Sequence, residues 1–407
     1  MPRRFTRNRT GLSECKTFCL NFKRSRERRA GLLTDLPENA PMNPTTAARP
    51  PTAARVVNSY NEWDPLEEVI VGVMDGACVP PWHLMLQATL PSRHWDFFKK
   101  FGGQPFPPEM IAAANRDLER LAQILEGEGV TVRRPERGSH ARPFSTPDWS
   151  SAGGLYAAMP RDLLLVVGDE ILETPMPWRS RYFEVNQYRP LLKHYFREGA
   201  RWSSAPKPEL TDALFDPLAL EEGPAKGPYR WLVNDFEPTF DAADFIRCGR
   251  DIFYFKSHVT NAFGVEWLSR HLGDAYRIHE LHCEDAHRMH IDTTFLPLAA
   301  GKMMVNPDRV KSLPAMFSKW EMLKAPAPCS PDSAPLYFSG KWLSMNVLSI
   351  DEKRVVVAEH ETNLISSLKA WGFTPIPCPF LSFYAFGGSI HCATLDVRRK
   401  GTLQSYF

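Results

Sequence analysis

Several familiar signatures are missing from this chain of 407 residues. None of its eight cysteines stands in a Cys-x-x-Cys pair, so zinc-ribbon and thioredoxin-like motifs are excluded, and the scatter reads as reduced thiols. The longest apolar runs are five residues, such as LLLVV at 163–167, strand-sized and far short of the ~20 residues a membrane helix needs. No G-x-G-x-x-G, Walker loop, G-x-S-x-G or H-E-x-x-H occurs, which leaves dinucleotide, nucleotide, α/β-hydrolase and zincin readings without support. Net charge is nearly absent as well, with 49 Lys+Arg against 47 Asp+Glu. That balance averages two unlike parts. Residues 1–41 hold ten basic and four acidic residues, a net +6, which leaves 39 basic and 43 acidic residues, a net −4, from Met42 onward. A mildly acidic body argues against nucleic acid as a partner.

What is present is ample for a core: 43% hydrophobic residues, 12% aromatics, and 36 prolines that predict many turns. The basic segment and the Pro/Ala-rich MNPTTAARPPTAAR after it read as a tail over 1–55. It lacks a secretory apolar stretch, and its arginine-rich character fits a mitochondrial presequence except for Glu14 and Glu27. An upstream extension before Met42 fits equally, so the expected compartment is the cytoplasm, with the mitochondrion as the alternative.

Beyond the tail an amphipathic helix followed by a short strand recurs about five times. EMIAAANRDLERLAQILEGEG precedes VTVRRP, and its Leu118, Leu121, Ile124 and Leu125 share one helical face. YRPLLKHYFREGA precedes RWSSAP, EWLSRHLGDA precedes YRIHEL, and NLISSLKAWG precedes FTPIPC. MFSKWEMLKA, before a Pro-rich stretch, is read as the fourth helix. Strand-like segments such as EEVIVGV, DLLLVVGDEILET, RDIFYF, KMMVN and RVVVAEH lie between them. Recurrence of one unit suggests a propeller-like array with a shared central channel, and an ordinary mixed α/β domain stays open beside it. The segment 203–232 reads as a lid-like surface excursion.

Four places carry chemical potential. Cys392 follows a glycine pair and a histidine in FGGSIHCAT, where a tight turn would expose its sulfur; a buried structural thiol is the plainer alternative. His290 and Asp292 stand two apart in MHID and, on a strand, would share a face. Asp241 and Asp244 in FDAAD have the spacing of helix caps, and the sharper alternative is a buried carboxylate orienting an imidazole. Asp162, just before an apolar strand, is placed to grip a cation. One thiol, one imidazole and several carboxylates suggest cysteine chemistry on a positively charged group.

The strings VNSYNEWDPLEEVIVG, AMPRDLLLVVGDEILETPMPWRSRYFE, EPTFDAADFIRCGRD, MHIDTTF, NPDR, KWLSMNVLSIDEKRVVV and HCATLDVRRKGTLQSY closely resemble the glycine amidinotransferase family and its bacterial natural-product relatives. The resemblance covers about 56–407 as a single catalytic domain and implies the pentein fold, a five-bladed α/β propeller of pseudo-symmetric ββαβ units. It implies Cys392 as nucleophile, His290 as general acid/base and Asp241 as the residue orienting it. Asp162 and Asp292 would clamp the guanidinium of L-arginine, and Arg309, with Ser339 nearby, would hold the donor's α-carboxylate. His287 and Met289 would lie on the acceptor side. No cofactor and no metal are implied, and a homodimer is. Glycine is the default acceptor, giving guanidinoacetate and ornithine as in creatine biosynthesis. Relatives that use glycine carry NPMHID where this chain has HRMHID, and paired serines where it has Ser339 and Gly340. A longer amine such as lysine, or a natural-product intermediate, therefore stays open. The alternative activity is a deiminase-like hydrolysis to citrulline, although such hydrolases carry EGGD where this chain has DAAD.

Overall fold

A computed structural model describes residues 55–407 except 221–228, 286–288 and 330–339. The tail over 1–54, His287 and Ser339 lie outside the described residues. The described strands form five three-stranded sheets and one two-stranded hairpin. In four of the sheets the pattern runs straight along the chain. Leu164–Val167 and Glu170–Glu173 pair antiparallel, helix Arg189–Arg197 crosses over, and Arg201–Ser204 returns parallel to the second strand. Phe245–Cys248, Asp251–Tyr254, helix Ala262–Leu272 and Arg277–Glu280 repeat the pattern. So do Leu348–Ser349, Arg354–Ala358, helix Thr362–Ala370 and Thr374–Cys378. In the remaining blade the chain ends meet: Leu66–Val71 pairs parallel with Thr131–Arg133, across helix Pro108–Gly127, and antiparallel with the last strand, Thr394–Arg399. With Phe295–Ala299, Lys302–Val305 and Glu321–Lys324 as the fourth sheet, these are the units of a five-bladed α/β propeller, ββαβ in four of the blades, as the resemblance implies.

The sequence explains the blades. Val355, Val356 and Val357 are all fully buried, because β-branched side chains suit a pleated strand covered on both faces. Each such burial contributes about 1.5–3 kcal/mol relative to exposure. Two of the helices end where Gly199 and Gly372 take positive φ (94° and 91°), the left-handed stop that glycine adopts without a Cβ clash.

One helix expectation fails. In MFSKWEMLKA only Ala315–Lys319 turns, as a 3₁₀ segment, and Glu321–Lys324 is a strand paired in parallel with Lys302–Val305. Completing the fourth sheet outweighs the local helical preference of EMLK, which Pro326 and Pro328 also cut short. The 203–232 excursion is not wholly superficial either. Leu210, Leu214 and Leu232 are fully buried, and Phe215 bridges Val233. No helix among the described residues is long and apolar enough to cross a membrane.

What positions the site is a set of short turns, each just ahead of a blade's first strand. Pro160–Leu163 precedes the strand at 164, Ala242–Asp244 that at 245, Ile291–Thr293 that at 295, and Lys341–Met345 that at 348. The turn at 391–393 precedes the strand at 394. Successive turns in this series pack against one another, so whatever side chains they carry converge.

Candidate active site

The turns bring together five of the predicted residues. Asp162 comes from the first, Asp241 stands at the start of the second, His290 and Asp292 belong to the third, and Cys392 lies in the last. All five are buried. Ligand atoms of Asp162, His290 and Cys392 lie within 4.8 Å of one another.

His290 is not on a strand, as its spacing from Asp292 predicts, but caps a 3₁₀ turn with φ 62° and ψ 116°. A positive φ is unfavourable for a residue with a Cβ and persists only where neighbours impose it. Asp244 does so. Its Oδ1 accepts the His290 backbone N–H at 2.7 Å, while its Oδ2 accepts from Ser257 (2.5 Å) and Thr260 (2.6 Å). Asp241 makes no side-chain cap bond; its Oδ2 instead meets His290 Nε2 at 3.2 Å and accepts from Trp178 Nε1 at 3.2 Å. The imidazole is thus held between Asp241 and Asp162, whose Oδ1 is 3.8 Å from Nδ1. Burial opposes a charge on His290, but Asp162, Asp241 and the Cys392 contact outweigh it and hold the imidazolium well above its ordinary range. Burial pushes Asp241 up, and Asp244 up to about 6.

Cys392 is 2% exposed, so its turn does not expose the sulfur but presents it inward. Asn346 holds it from two sides, donating from Nδ2 to Sγ at 3.1 Å and accepting the Cys392 N–H at Oδ1 (3.0 Å). Asp292 Oδ2 lies 3.7 Å from the sulfur. Burial and the Asp292 charge push the thiol up to about 11, against the lowering pull of His290.

The carboxylates are half-used. Asp162 Oδ2 takes Arg181 Nη1 at 2.7 Å, and Arg181 is itself clamped by both oxygens of Glu184 at 2.7 and 2.8 Å. Asp292 Oδ2 takes Asn346 Nδ2 (2.7 Å) and His391 Nδ1 (2.8 Å). Oδ1 of Asp162, of Asp292 and of Asp241 has no hydrogen-bond partner among the described residues. Open carboxylate oxygens beside a thiol suit a planar cation that donates several N–H bonds. Asp162, His290 and Cys392 are also the residues whose atoms would hold a metal ion at this point.

A hollow runs from Cys392, His290 and Asp292 to Arg309 and Gly340. Arg309 is tied by Asp285 at Nε (2.8 Å) and donates to Thr293 (3.0 Å) and Thr294 (3.2 Å). Met289 lines this hollow and a second, largely apolar one. Asn346, His391, Arg181 and Glu184 are not singled out by side-chain type, whereas Asp244, read beside Asp241 as a cap or an imidazole-orienting carboxylate, holds the His290 backbone. Asn346 and His391 do lie inside KWLSMN and IHCAT, at the same place relative to a blade's first strand as Asp162 and Asp241.

No family model matches the chain. Among curated proteins it is 53% identical over 350 residues to the L-arginine:L-lysine amidinotransferase of Pseudomonas savastanoi pv. phaseolicola, covering 86% of this chain and 96% of that protein. It is 48% identical over 365 residues to the mitochondrial glycine amidinotransferase of Danio rerio, covering 88% and 86%. Among solved structures it is similar to SxtG, an amidinotransferase of the saxitoxin biosynthetic pathway from Microseira wollei. The two share 51% identity over 86% of this chain and all of that one, with a TM-score of 0.83.

Proposed function

The chain belongs to the amidinotransferase family, and from that premise we propose that it moves the amidino group of L-arginine to an amine through an intermediate carried on Cys392. The observation that supports this reading is the pair of open oxygens on Asp162 and Asp292 beside the sulfur of Cys392 and the ring of His290. A guanidinium is a poor electrophile because resonance spreads its charge. Two carboxylates fix its plane and leave its carbon facing the sulfur. Arg309, in the same hollow, receives the donor's α-carboxylate. As the cation enters, it offsets the negative field that holds the thiol up, the thiol proton leaves to solvent, and the thiolate faces imidazolium.

Attack by sulfur gives a tetrahedral adduct. His290 protonates the departing nitrogen, the C–N bond breaks, and ornithine leaves amidino-Cys392 behind. An acceptor amine then attacks, His290 takes its proton, and the C–S bond breaks to restore the thiolate. Asp241 keeps the imidazole oriented through both halves. Glycine and L-lysine, after which the relatives are named, are the first acceptors to test. We further propose that 56–407 is one catalytic domain acting as a homodimer in the cytoplasm.

The test incubates the protein with arginine, with and without amines, and follows ornithine, citrulline and the mass of Cys392. Transfer gives ornithine and an amidino adduct that amines discharge. Citrulline produced at the same rate without any amine sinks transfer in favour of hydrolysis.

A further inference from the structure

Two buried side chains have no task in the reaction above. Glu62 and His391 are each 3% exposed. His391 immediately precedes Cys392, and its ring lies between two carboxylates: Nδ1 is 2.8 Å from Asp292 Oδ2 and Nε2 is 3.5 Å from Glu62 Oε2. The two contacts are unequal. An ionised carboxylate only accepts, so the 2.8 Å bond fixes a hydrogen on Nδ1. The Glu62 contact is long, and Glu62 is held without it by Arg247 Nε (2.8 Å), Nη2 (3.0 Å) and backbone N–H (3.2 Å).

The backbone of His391 is pinned as well. Its carbonyl accepts from Arg161 Nε at 2.9 Å and from Thr394 Oγ1 at 3.0 Å, and Arg161 is itself bound to Asp396 at 2.7 Å. The imidazole is carried by a rigid frame, and its short bond passes that rigidity to one oxygen of Asp292. Asp292 needs such a hold. It sits in a single 3₁₀ turn, Ile291–Thr293, and the last torsion of an Asp side chain is broad unless an oxygen is fixed. His391 Nδ1 and Asn346 Nδ2 (2.7 Å) both donate to Oδ2, which leaves Oδ1 as the open atom. Burial opposes the Asp292 charge, and the His391 bond leads the interactions that outweigh it and keep the acid below its ordinary range. Two donors on one oxygen fix the carboxylate plane, and with it the plane in which a guanidinium is gripped.

We propose that His391 is a positioning residue for the donor half of the reaction: its Nδ1–H sets the Asp292 carboxylate so that Oδ1 meets the guanidinium of arginine, while its Nε2 contact with Glu62 is dispensable. The proposal rests on the transfer reading above, in which Asp292 is one jaw of the clamp. A clamp misplaced by about 1 Å costs on the order of a hundredfold.

Substitution separates the two nitrogens, because an Asn amide nitrogen takes the place of Nδ1 and a Gln amide nitrogen that of Nε2. The rate at which arginine forms the Cys392 adduct is read by mass against arginine concentration, on the full-length wild type, His391→Asn, His391→Gln and His391→Leu, which keeps neither nitrogen. Urea midpoints are read alongside. His391→Gln and His391→Leu are each expected to raise the half-saturating arginine concentration about tenfold and to lower the maximal rate about tenfold. His391→Asn is expected to stay within about threefold of wild type in both. A histidine that only props the fold would separate the variants by urea midpoint and not by their response to arginine. His391→Asn losing as much as His391→Gln, or the Gln and Leu variants both matching wild type, overturns the assignment while leaving transfer intact. A wild-type protein that forms no adduct overturns the transfer reading and the assignment together.

Discussion

Asp396 and Asp292 are both almost fully buried, at 0% and 1% exposure, yet they live in opposite surroundings. Asp396 accepts from Arg161 (2.7 Å), Arg247 (2.6 Å), Arg399 (2.7 Å) and Ser59 (2.9 Å). Its neighbour Glu62 is gripped by Arg247 at 2.8 and 3.0 Å. Two carboxylates thus face three guanidiniums. Burial opposes their charge, but Arg247 and its companions overcome it and hold both acids well below the usual range. The cluster around Asp292 is unbalanced the other way. Among the described residues, Asp162, Asp241, Asp244, Asp292 and Glu184 face Arg181, the His290 imidazolium and the His391 ring. Three of those carboxylates keep an open oxygen, whereas neither oxygen of Asp396 or Glu62 does. The saturated cluster ties blades together: it joins 62, 161, 247, 396 and 399, residues far apart in sequence. The unsaturated one lacks a cation, which makes it a place for one to bind.

The two clusters should break differently. Cys392→Ala is expected to reduce arginine-dependent ornithine release by about four orders of magnitude or more, the scale of losing a nucleophile. Urea unfolding should move little, since the change leaves only a small cavity. Arg247→Met has the opposite profile. It strands Glu62 beneath the blades and is expected to destabilise the fold by about 3–5 kcal/mol, read from urea midpoints. If Arg247→Met left stability unchanged while abolishing activity, the division into a structural and a chemical cluster would be wrong.

Asn346→Ala probes the junction. It removes the donor shared by Asp292 and Cys392 Sγ and the acceptor of the Cys392 N–H. Ornithine release is expected to fall about a hundredfold, the loss seen when one oriented dipole is removed from a site. Substitution by Gln, which keeps the amide one methylene out of place, should recover little of it.

These contrasts also show why some residues could be read from the sequence and others could not. Cys392, His290, Asp162, Asp241 and Asp292 carry groups with chemistry of their own, in strings long enough to resemble a family. Asn346 and His391 act by what they touch, and their partners lie 46 to 99 residues away. Only the convergence of five strand-leading turns reveals them. The same convergence explains two missed details: sulfur at such a turn points inward, and the MHID pair sits on a 3₁₀ turn rather than a strand. The lost helix at MFSKWEMLKA is a tertiary effect, since a fourth sheet short of its third strand would leave a buried edge unpaired.

The smallest expected effect separates the clusters by sign of titration. Burial raises the folded-state Asp244 to about 6 and Glu184 to about 7. An acid raised on folding adds stability that is complete below its unfolded value and is lost as pH rises through the folded one. Lowering pH from 7 to 5 should therefore add, through Asp244, on the order of 1 kcal/mol of stability. Glu62 and Asp396 are lowered on folding, so their contribution is complete above their unfolded values near 4 and fades only as pH drops below them. The thermal midpoint should fall below about pH 4, while between pH 7 and 5 the Asp244 rise runs against His83 and His140, which burial lowers to about 4. Asp244→Asn should flatten the rise and leave the acid fall in place. The rise cannot come with activity, however. Protonating Asp244 weakens the bond that holds His290 at positive φ, so ornithine release should decline across the same interval in which Asp244 adds stability.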